Sequence, residues 1–157
     1  MPDMLVKLYA LPDVAPLVEG QRAYGVDIRR AIPPEKHLVV NWVRKTFSEG
    51  WANECEVSFS HHPVSCFIAT QNEKIIGFAC YDATCRGFFG PEGVSEDERG
   101  RGIGKALLLK CLHAMAELGY GYAIIGWAGP VEFYAKAVGA VVIEGSSPGI
   151  YRGMLRE

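Results

Sequence analysis

The stretch RGFFGPEGVSEDERGRGIGKALLLKCLHAMAEL, residues 86–118, determines how the rest of the chain is interpreted. An apolar strand interrupted by glycines leads into a short acidic turn, then into RGRGIGK at residues 99–105, and then into an amphipathic helix. The glycines allow the backbone to approach a ligand closely. The first amides of the helix have no partner within it, and the two arginines add positive charge. The sequence therefore predicts an anion site, for which a pyrophosphate is the best match.

Two common phosphate-binding motifs do not fit this stretch. A P-loop would need glycine in place of Arg99 and serine or threonine in place of Ala106. A dinucleotide-binding GxGxxG motif that begins at Gly100 would need glycine or alanine in place of Lys105. Neither class of nucleotide site is therefore predicted.

The pattern Arg-x-x-Gly-x-Gly, formed by Arg99, Gly102 and Gly104, resembles the acetyl-CoA-binding motif of the GCN5-related N-acetyltransferases, the GNAT superfamily. The surroundings are similar too: a strand ending in Gly-Val precedes the motif, a helix follows it, and EFYAKAVG comes later at residues 132–139. The resemblance covers residues 64–155 and is weak before them. It implies an α/β (α+β) fold, the GNAT fold, with a mixed central sheet of about six to seven strands, splayed between the fourth and fifth and flanked by about four helices.

The resemblance also implies a set of cofactor-binding residues, with acetyl-CoA as the co-substrate. They are Gly93, Val94, Arg99, Gly100, Arg101, Gly102, Ile103, Gly104 and Lys105. In the family, the pantetheine arm lies along the splayed strand. The glycines and Pro91 of the strand predicted at residues 86–94 agree with this, because they disfavour a regular ladder and indicate a bulge. No metal is predicted at the site.

Acetyl transfer by direct attack needs a polarised thioester, a neutral amine and a proton for the leaving thiolate. Tyr134 lies in a sequence similar to the family's FYxKxGF element, with one residue added before Gly139, and the resemblance gives its hydroxyl the role of general acid. A phenol with a pKa of about 10 can protonate a thiolate whose conjugate acid has a pKa of about 8.5. The backbone amide of Glu92 or Gly93 is predicted to polarise the carbonyl, since Pro91 has no N–H.

The general base is left open by the sequence, although an amine with a pKa of about 10.4 must lose a proton before it can attack. Some members of the family have a glutamate near the position of Phe88, which this chain lacks. Glu92 is the only acid on the predicted strand and is therefore the candidate base. Asp82, Glu56 and a water relay with no dedicated base are the alternatives.

The segment WANECEVSFSHHP, residues 51–63, is placed by the resemblance on the acceptor side of the cleft. Trp51, Phe59, Glu54 and Glu56 are therefore candidates for shaping substrate choice. The alternative is a surface helix and loop with two buried aromatic residues. The adjacent histidines at 61 and 62 would point in different directions in a helix or a strand, so a shared metal ion is not expected.

Composition limits the class of protein. The 157 residues suffice for one domain, predicted over residues 1–157. A formal net charge of −2 gives no general attraction to nucleic acid or to an anionic membrane. No apolar run approaches the roughly 18 residues that cross a bilayer, and the first residues do not resemble a signal peptide, so a cytoplasmic protein is predicted. The five cysteines contain no CxxC pair, and most of them are predicted to be reduced core residues.

Periodicity and turn residues place the elements along the chain. Strands are predicted at residues 4–11, 26–32, 64–70, 74–82, 86–94, 122–127, 140–143 and 150–155. The third and fourth form a hairpin around residues 71–73, and the fourth is central because it is apolar on both faces. Helices are predicted at residues 14–18, 102–118 and 131–137, and another begins at residues 33–35 and ends at Gly50.

The leading hypothesis is an acetyl-CoA-dependent N-acetyltransferase that acts on a small-molecule amine or an amino-acid-like acceptor. The alternative is a non-catalytic acetyl-CoA-binding sensor or interaction domain on the same fold. A modifier of histones or ribosomal proteins is disfavoured, because a lysine-rich acceptor would need a strongly acidic face and the chain has no long acidic run. GNAT proteins are commonly dimers, which makes a homodimer an option. The acceptor, the acyl chain length and the oligomeric state are left open.

Overall fold

In the computed structural model, which describes residues 1–156, seven strands form one mixed sheet with helices on both faces. The strands are β1 (Met4–Lys7), β2 (Val26–Arg30), β3 (Cys66–Gln71), β4 (Lys74–Tyr81), β5 (Phe88–Val94), β6 (Tyr122–Ile125) and β7 (Val141–Val142). The helices are α1 (Ala15–Ala23), α2 (Lys36–Thr46), α3 (Glu49–Ser58), α4 (Ile103–Glu117) and α5 (Val131–Val138). The strand order is β2-β3-β4-β5-β6-β1-β7, which confirms the predicted mixed sheet. None of the described helices is long and apolar enough to cross a membrane.

Two hydrophobic cores lie on the two faces of this sheet. One joins α1, α4 and α5 to the sheet, and the other joins α2 and α3 to it. Helix α4 is the most deeply buried element, and its Leu107, Leu112 and Met115 are inaccessible to solvent. Burying each such side chain contributes about 1.5–3 kcal/mol. The helix is therefore held firmly, and so is its first turn, which carries the glycine-rich run.

Strands β3 and β4 form the predicted hairpin. Gln71 pairs with Lys74, and the two residues between them, Asn72 and Glu73, have positive φ angles of 52° and 60°. Left-handed conformations at both central positions suit the right-handed twist of the flanking strands. Strand β4 lies between β3 and β5 and is buried over most of its length, so its predicted central place is also confirmed.

Strands β5 and β6 separate after a short parallel contact. They pair only at Phe88 with Ile124 and at Phe89 with Ile125. On its other edge β5 pairs with β4, and the register shifts between Ala79 and Tyr81, where Pro91 cannot donate a backbone hydrogen bond. In the order of the sheet, this gap lies between the fourth and fifth strands, as predicted.

The helix that was predicted to end at Gly50 is in fact two helices. Helix α2 ends at Thr46, and α3 begins at Glu49, so Gly50 lies in the first turn of α3. The Oγ of Ser48 accepts the backbone N–H of Trp51 at 3.1 Å and caps the new helix. The prediction was wrong because it gave the glycine more weight than the serine cap two residues earlier.

The prediction of a last strand at residues 150–155 is also wrong. The chain forms a helical turn at Gly149–Tyr151 there, and the sheet position beside β6 is taken by β1, antiparallel to both β6 and β7. Strand β1 ends at Lys7 rather than at residue 11, because a helical turn at Leu8–Ala10 follows it. The C-terminal turn is therefore free to line the gap between β5 and β6.

Candidate active site

The gap between β5 and β6 opens into a cleft of about 1290 Å³. This exceeds the upper range of about 1,000 Å³ for sites that hold one small ligand, and it leaves room for two. One end reaches the first turn of α4, the middle follows β5 and α5, and the other end reaches α3 and the C-terminal turn. The cleft is therefore long enough to bring two bound molecules together near its middle.

The glycine-rich run forms the first end of the cleft. Gly100 and Gly102 have φ angles of +78° and +81°, a conformation that favours glycine. Gly102 is the N-cap of α4, and its carbonyl accepts the first helical hydrogen bond, from the N–H of Ala106 at 3.2 Å. The amides of the three residues before Ala106 therefore have no helical partner, and they sit at the positive end of the helix dipole. This geometry can hold a phosphate.

The two arginines of the run lie in different places. Arg99 lines the cleft, and its Nε donates to the carbonyl of Val94 at 3.2 Å. Lys105 also lines the cleft. Arg101 does not: it is ion-paired with Glu98 within the same loop. The contribution of Arg101 to the cofactor site stays a prediction. The other predicted cofactor-binding residues line the cleft: Gly93, Val94, Arg99, Gly100, Gly102, Ile103, Gly104 and Lys105.

The backbone amides of β5 alternate between its two edges. The N–H of Ser95 donates to the carbonyl of Ile76 at 2.8 Å, so it points towards β4. Successive residues of a strand direct their amides to opposite edges. It follows that the amide of Gly93 also points towards β4, while those of Glu92 and Val94 face the gap. Of the two amides predicted to polarise a carbonyl, those of Glu92 and Gly93, only the amide of Glu92 faces the gap. The amide of Val94, which was not predicted, faces the gap as well.

Tyr134, on α5, lines the middle of the cleft and is only 8% exposed. Its ring makes edge contacts with the rings of Phe89 and Phe133, at centroid distances of 6.3 and 5.2 Å. Burial, followed by the nearby Glu92 carboxyl, raises the pKa of Tyr134 above that of an exposed tyrosine. The phenol therefore stays protonated around neutral pH and can donate a hydrogen bond into the cleft.

The geometry of this cleft agrees with the outcome of comparisons with known proteins. Residues 35–140 match the acetyltransferase (GNAT) family. The chain belongs to this family. None of the curated proteins matches the sequence.

Solved structures of low sequence identity share the GNAT fold of this chain. A glucosamine N-acetyltransferase region of a fungal multi-domain GH3 β-N-acetylglucosaminidase has a TM-score of 0.73 at 14% identity, covering 90% of this chain and 19% of that one. A GCN5-related N-acetyltransferase from Sphaerobacter thermophilus has a TM-score of 0.65 at 20% identity, covering 90% and 48%. One from Kribbella flavida has a TM-score of 0.56 at 15% identity, covering 90% and 53%. This GNAT chain thus spans less than two thirds of each of these proteins.

Glu92, the candidate base of the GNAT chain, turns towards α4 rather than towards α3. Its Oε1 lies 3.3 Å from the point that a Cβ on Gly104 would occupy. Its Oε2 is buried and has no hydrogen-bond partner among the described residues. Burial raises the pKa of Glu92 well above its usual range. Burial of an oxygen to which no described residue donates a hydrogen bond disfavours the ionised form that a base needs, and the role of Glu92 as base stays a prediction.

The other candidate bases do not line the cleft. Asp82 stabilises the β4–β5 loop, where its Oδ1 accepts the N–H of Gly87 at 2.7 Å and its Oδ2 accepts the hydroxyl of Tyr120 at 3.1 Å. Glu56 is exposed and paired with Lys36 at 3.1 Å. Both carboxylates are therefore occupied away from the site.

Of the four residues predicted to shape the acceptor side, the structure brings two to the cleft. Trp51 and Glu54 line it, whereas Phe59 is buried in the core beneath α3 and Glu56 faces solvent. Other lining residues were missed, among them Thr84, Cys85, Trp127 and Tyr151. They lie in loops far apart in the sequence, and the only signal was a tryptophan among small residues at positions 126–129.

Three of the predicted core cysteines form a cluster beneath α3. The sulfur atoms of Cys55, Cys66 and Cys80 lie within 4.8 Å of one another and are buried. Hydrogen bonds from Cys66 and then from Cys80 lower the pKa of Cys55 to about 5. Three thiols in this arrangement could hold a metal that prefers sulfur ligands. They lie in the core rather than in the cleft, and the sequence could not show the cluster because α3, β3 and β4 contribute one cysteine each.

Proposed function

We propose that this chain is an acetyl-CoA-dependent N-acetyltransferase that acetylates a primary amine of a small acceptor by direct attack. One observation carries the proposal. A single cleft joins the first turn of α4, the open edge of β5 and the hydroxyl-bearing ring of Tyr134. A phosphate site, donors for a carbonyl and a proton donor therefore lie along one path.

The first end of the cleft fits the diphosphate of coenzyme A. The amides of Ile103, Gly104 and Lys105 would bind phosphate oxygens, and the side chains of Arg99 and Lys105 would add charge. A Cβ on Gly104 would lie 3.3 Å from the Oε1 of Glu92, so a larger residue at this position would require the Glu92 side chain to shift. Acetyl-CoA supplies an acetyl group activated as a thioester.

The residues in the middle of the cleft have separate tasks in this proposal. The amides of Glu92 and Val94 donate hydrogen bonds to the acetyl carbonyl, where negative charge develops. A neutral amine nitrogen bonds to the carbonyl carbon as the bond from carbon to sulfur breaks, and the proton that the nitrogen loses passes to water. Coenzyme A leaves as a thiolate, to which the hydroxyl of Tyr134 donates a hydrogen bond and then its proton, and Tyr134 regains a proton from water. The close positioning of the two substrates supplies much of the rate gain.

A second candidate function is a non-catalytic acetyl-CoA-binding domain. One observation favours it: Glu92, the only acid on β5, is buried with no hydrogen-bond partner for its Oε2 in the described part of the chain, and this burial raises its pKa and disfavours the ionised form. A cytoplasmic location, a homodimer and a single domain over residues 1–157 stay predictions from the sequence.

Calorimetric titration with acetyl-CoA, combined with detection of free CoA in the presence of a panel of primary amines, separates these functions. The proposal expects both binding and release of CoA that depends on the amine. Binding without release for every amine would favour the second candidate. A folded protein that binds no acetyl-CoA at millimolar concentration would exclude both.

A further inference from the structure

The end of the cleft farthest from the phosphate loop is built from four separate segments. They are α3, the β4–β5 loop, the loop after β6 and the C-terminal turn. We call this region the acceptor end and define it by Trp51, Glu54, Thr84, Cys85, Trp127 and Tyr151. Its side chains are chemically unlike those at the phosphate end.

Charge is divided between the two ends of the cleft. The only basic side chains among its described lining residues are Arg99 and Lys105, and both belong to the phosphate end. At the acceptor end, Glu54 is the only acidic side chain that lines the cleft. An anionic group on an acceptor would therefore meet no described basic side chain there, whereas a cationic group would meet a carboxylate.

One carboxylate oxygen of Glu54 is held by a hydrogen bond, and the other is free to contact a ligand. The hydroxyl of Thr84 donates a hydrogen bond to its Oε1 at 2.5 Å, which ties α3 to the β4–β5 loop. Its Oε2 makes no hydrogen bond or ion pair with any described residue. Burial raises the pKa of Glu54, while the hydrogen bond from Thr84 lowers it. A bound ammonium would favour the ionised form of this half-buried carboxyl.

Three aromatic side chains line the same end of the cleft as this carboxylate. The ring of Trp127 stacks on that of Tyr151 with a centroid distance of 4.7 Å and an angle of 17° between the planes. Trp127 has a φ of 51°, and its N–H is held by the Oδ1 of Asp3 at 2.9 Å. Its side chain is still 37% exposed, so part of the ring remains available. Trp51 adds a third aromatic side chain from α3. Aromatic rings bind apolar bodies and attract ammonium groups.

We propose that the acceptor end binds a primary ammonium on an aromatic or apolar body that has no carboxylate beside the nitrogen, and that Glu54 pairs with the ammonium. The inference rests on the proposed function and names its substrate class. It narrows the earlier expectation of a small-molecule or amino-acid-like acceptor, because an amino acid would place its own carboxylate near Glu54 with no basic side chain in the described lining of that end to compensate. The acceptor is thus an amine of the 2-phenylethylamine kind rather than an amino acid of the phenylalanine kind.

A binding measurement tests this without requiring turnover. The protein saturated with CoA is titrated with 2-phenylethylamine or with phenylalanine, and the fluorescence of Trp51 and Trp127 is followed. We expect 2-phenylethylamine to bind at least about tenfold more tightly, the equivalent of one charge-assisted contact. Equal affinity for the two, or no binding of the amine, would overturn the acceptor class.

Matched variants locate the contact. Glu54→Gln is expected to weaken binding of 2-phenylethylamine at least about tenfold. Glu56→Gln, on the same helix but facing solvent, is expected to leave it unchanged. Thermal unfolding of both variants shows whether they are folded. If Glu54→Gln does not fold, the comparison of the two ligands on the unaltered protein still decides. Unchanged binding in a folded Glu54→Gln variant would overturn the role of Glu54.

Release of CoA separates this proposal from the one on which it rests. If 2-phenylethylamine binds with the expected preference but no CoA is released from acetyl-CoA, acetyl transfer fails and the acceptor site stands. If phenylalanine and 2-phenylethylamine are acetylated with equal kcat/KM, acetyl transfer stands and the acceptor class is overturned.

Discussion

The two ends of the cleft hold their ligands in different ways. The phosphate end is made of consecutive residues, and most of its binding groups are backbone amides at the start of α4. The acceptor end is made of side chains from four segments, held together by contacts such as that between Thr84 and Glu54. One end is built by local geometry and the other by tertiary structure.

This difference has a consequence for how each end tolerates change. Backbone amides remain when side chains are exchanged, so the phosphate end is sensitive mainly to its glycines and to the charge of Arg99 and Lys105. Each contact at the acceptor end depends on one side chain, so a single substitution there can alter the choice of substrate. We therefore expect the cofactor specificity of this chain to be robust and its acceptor specificity to be easily changed.

The largest expected effect lies between the two ends, at Tyr134. Tyr134→Phe removes only the hydroxyl, so kcat should fall about 10²- to 10³-fold while the Kd for acetyl-CoA stays within about twofold. Steady-state release of CoA and calorimetry measure the two quantities. Tyr122→Phe, an exposed tyrosine outside the cleft, is the control. Unchanged turnover in Tyr134→Phe would remove the hydroxyl from the mechanism.

The next largest effect is expected at the phosphate end, where charge reversal of Arg99 is compared with charge reversal of Arg101. Arg99→Glu should weaken acetyl-CoA binding about 10- to 100-fold, because it replaces a cation that lines the cleft with an anion. Arg101→Glu should have a smaller effect, because Arg101 does not line the cleft and its charge is already paired with Glu98. Calorimetry at two salt concentrations measures both, and the loss in Arg99→Glu should shrink at high salt. Equal losses in the two variants would contradict the assignment.

The sequence predicted the first end far better than the second. The turn and helix around Gly102 follow from neighbouring residues, and so does the hairpin at Asn72 and Glu73. The ion pair between Arg101 and Glu98 is local as well, because the two residues are three apart in the sequence. The acceptor end could not be predicted, because Glu54, Thr84 and Tyr151 meet only when distant segments pack.

Dependence on distant segments also explains why the strand predictions at the two ends of the chain were wrong. The space beside β6 could be filled by either end of the chain, since both have apolar segments, and no local signal chooses between them. Tertiary pairing selected β1. The C-terminal turn at Gly149–Tyr151 then became part of the cleft instead of part of the sheet. Long-range pairing thus changed both the sheet and the acceptor end.

A third prediction concerns the contact between Gly93 of β5 and Phe47, which both line the cleft. A Cβ on Gly93 would lie 2.4 Å from the ring of Phe47, which packs on Trp51 at a centroid distance of 5.1 Å. Gly93→Ala should therefore lower the free energy of unfolding by about 1–3 kcal/mol, measured by urea titration. Adding Phe47→Leu should restore part of this loss by making space. A loss that is the same with and without Phe47→Leu would mean that the ring is not the obstacle.

The smallest expected effect separates catalysis from stability at Glu92. Its pKa is higher in the folded than in the unfolded chain, where the ordinary value is 4.5, so its favourable contribution is present at low pH and is lost as the pH rises. Glutamine is neutral at every pH. Glu92→Gln should therefore raise the free energy of unfolding at pH 8 by about 1–3 kcal/mol, and the difference from the unaltered protein should vanish near pH 4.

Turnover of the same Glu92→Gln variant tests the candidate base. If Glu92 is protonated in the folded protein, glutamine imitates its normal state, and kcat should be retained within about threefold. If Glu92 accepts the proton of the amine, kcat should fall about 10²-fold or more. A stability gain at pH 8 with unchanged turnover would leave the acceptor end, with Glu54, as the place where the charge of the amine is met. A loss of turnover without a gain in stability would move that task back to β5.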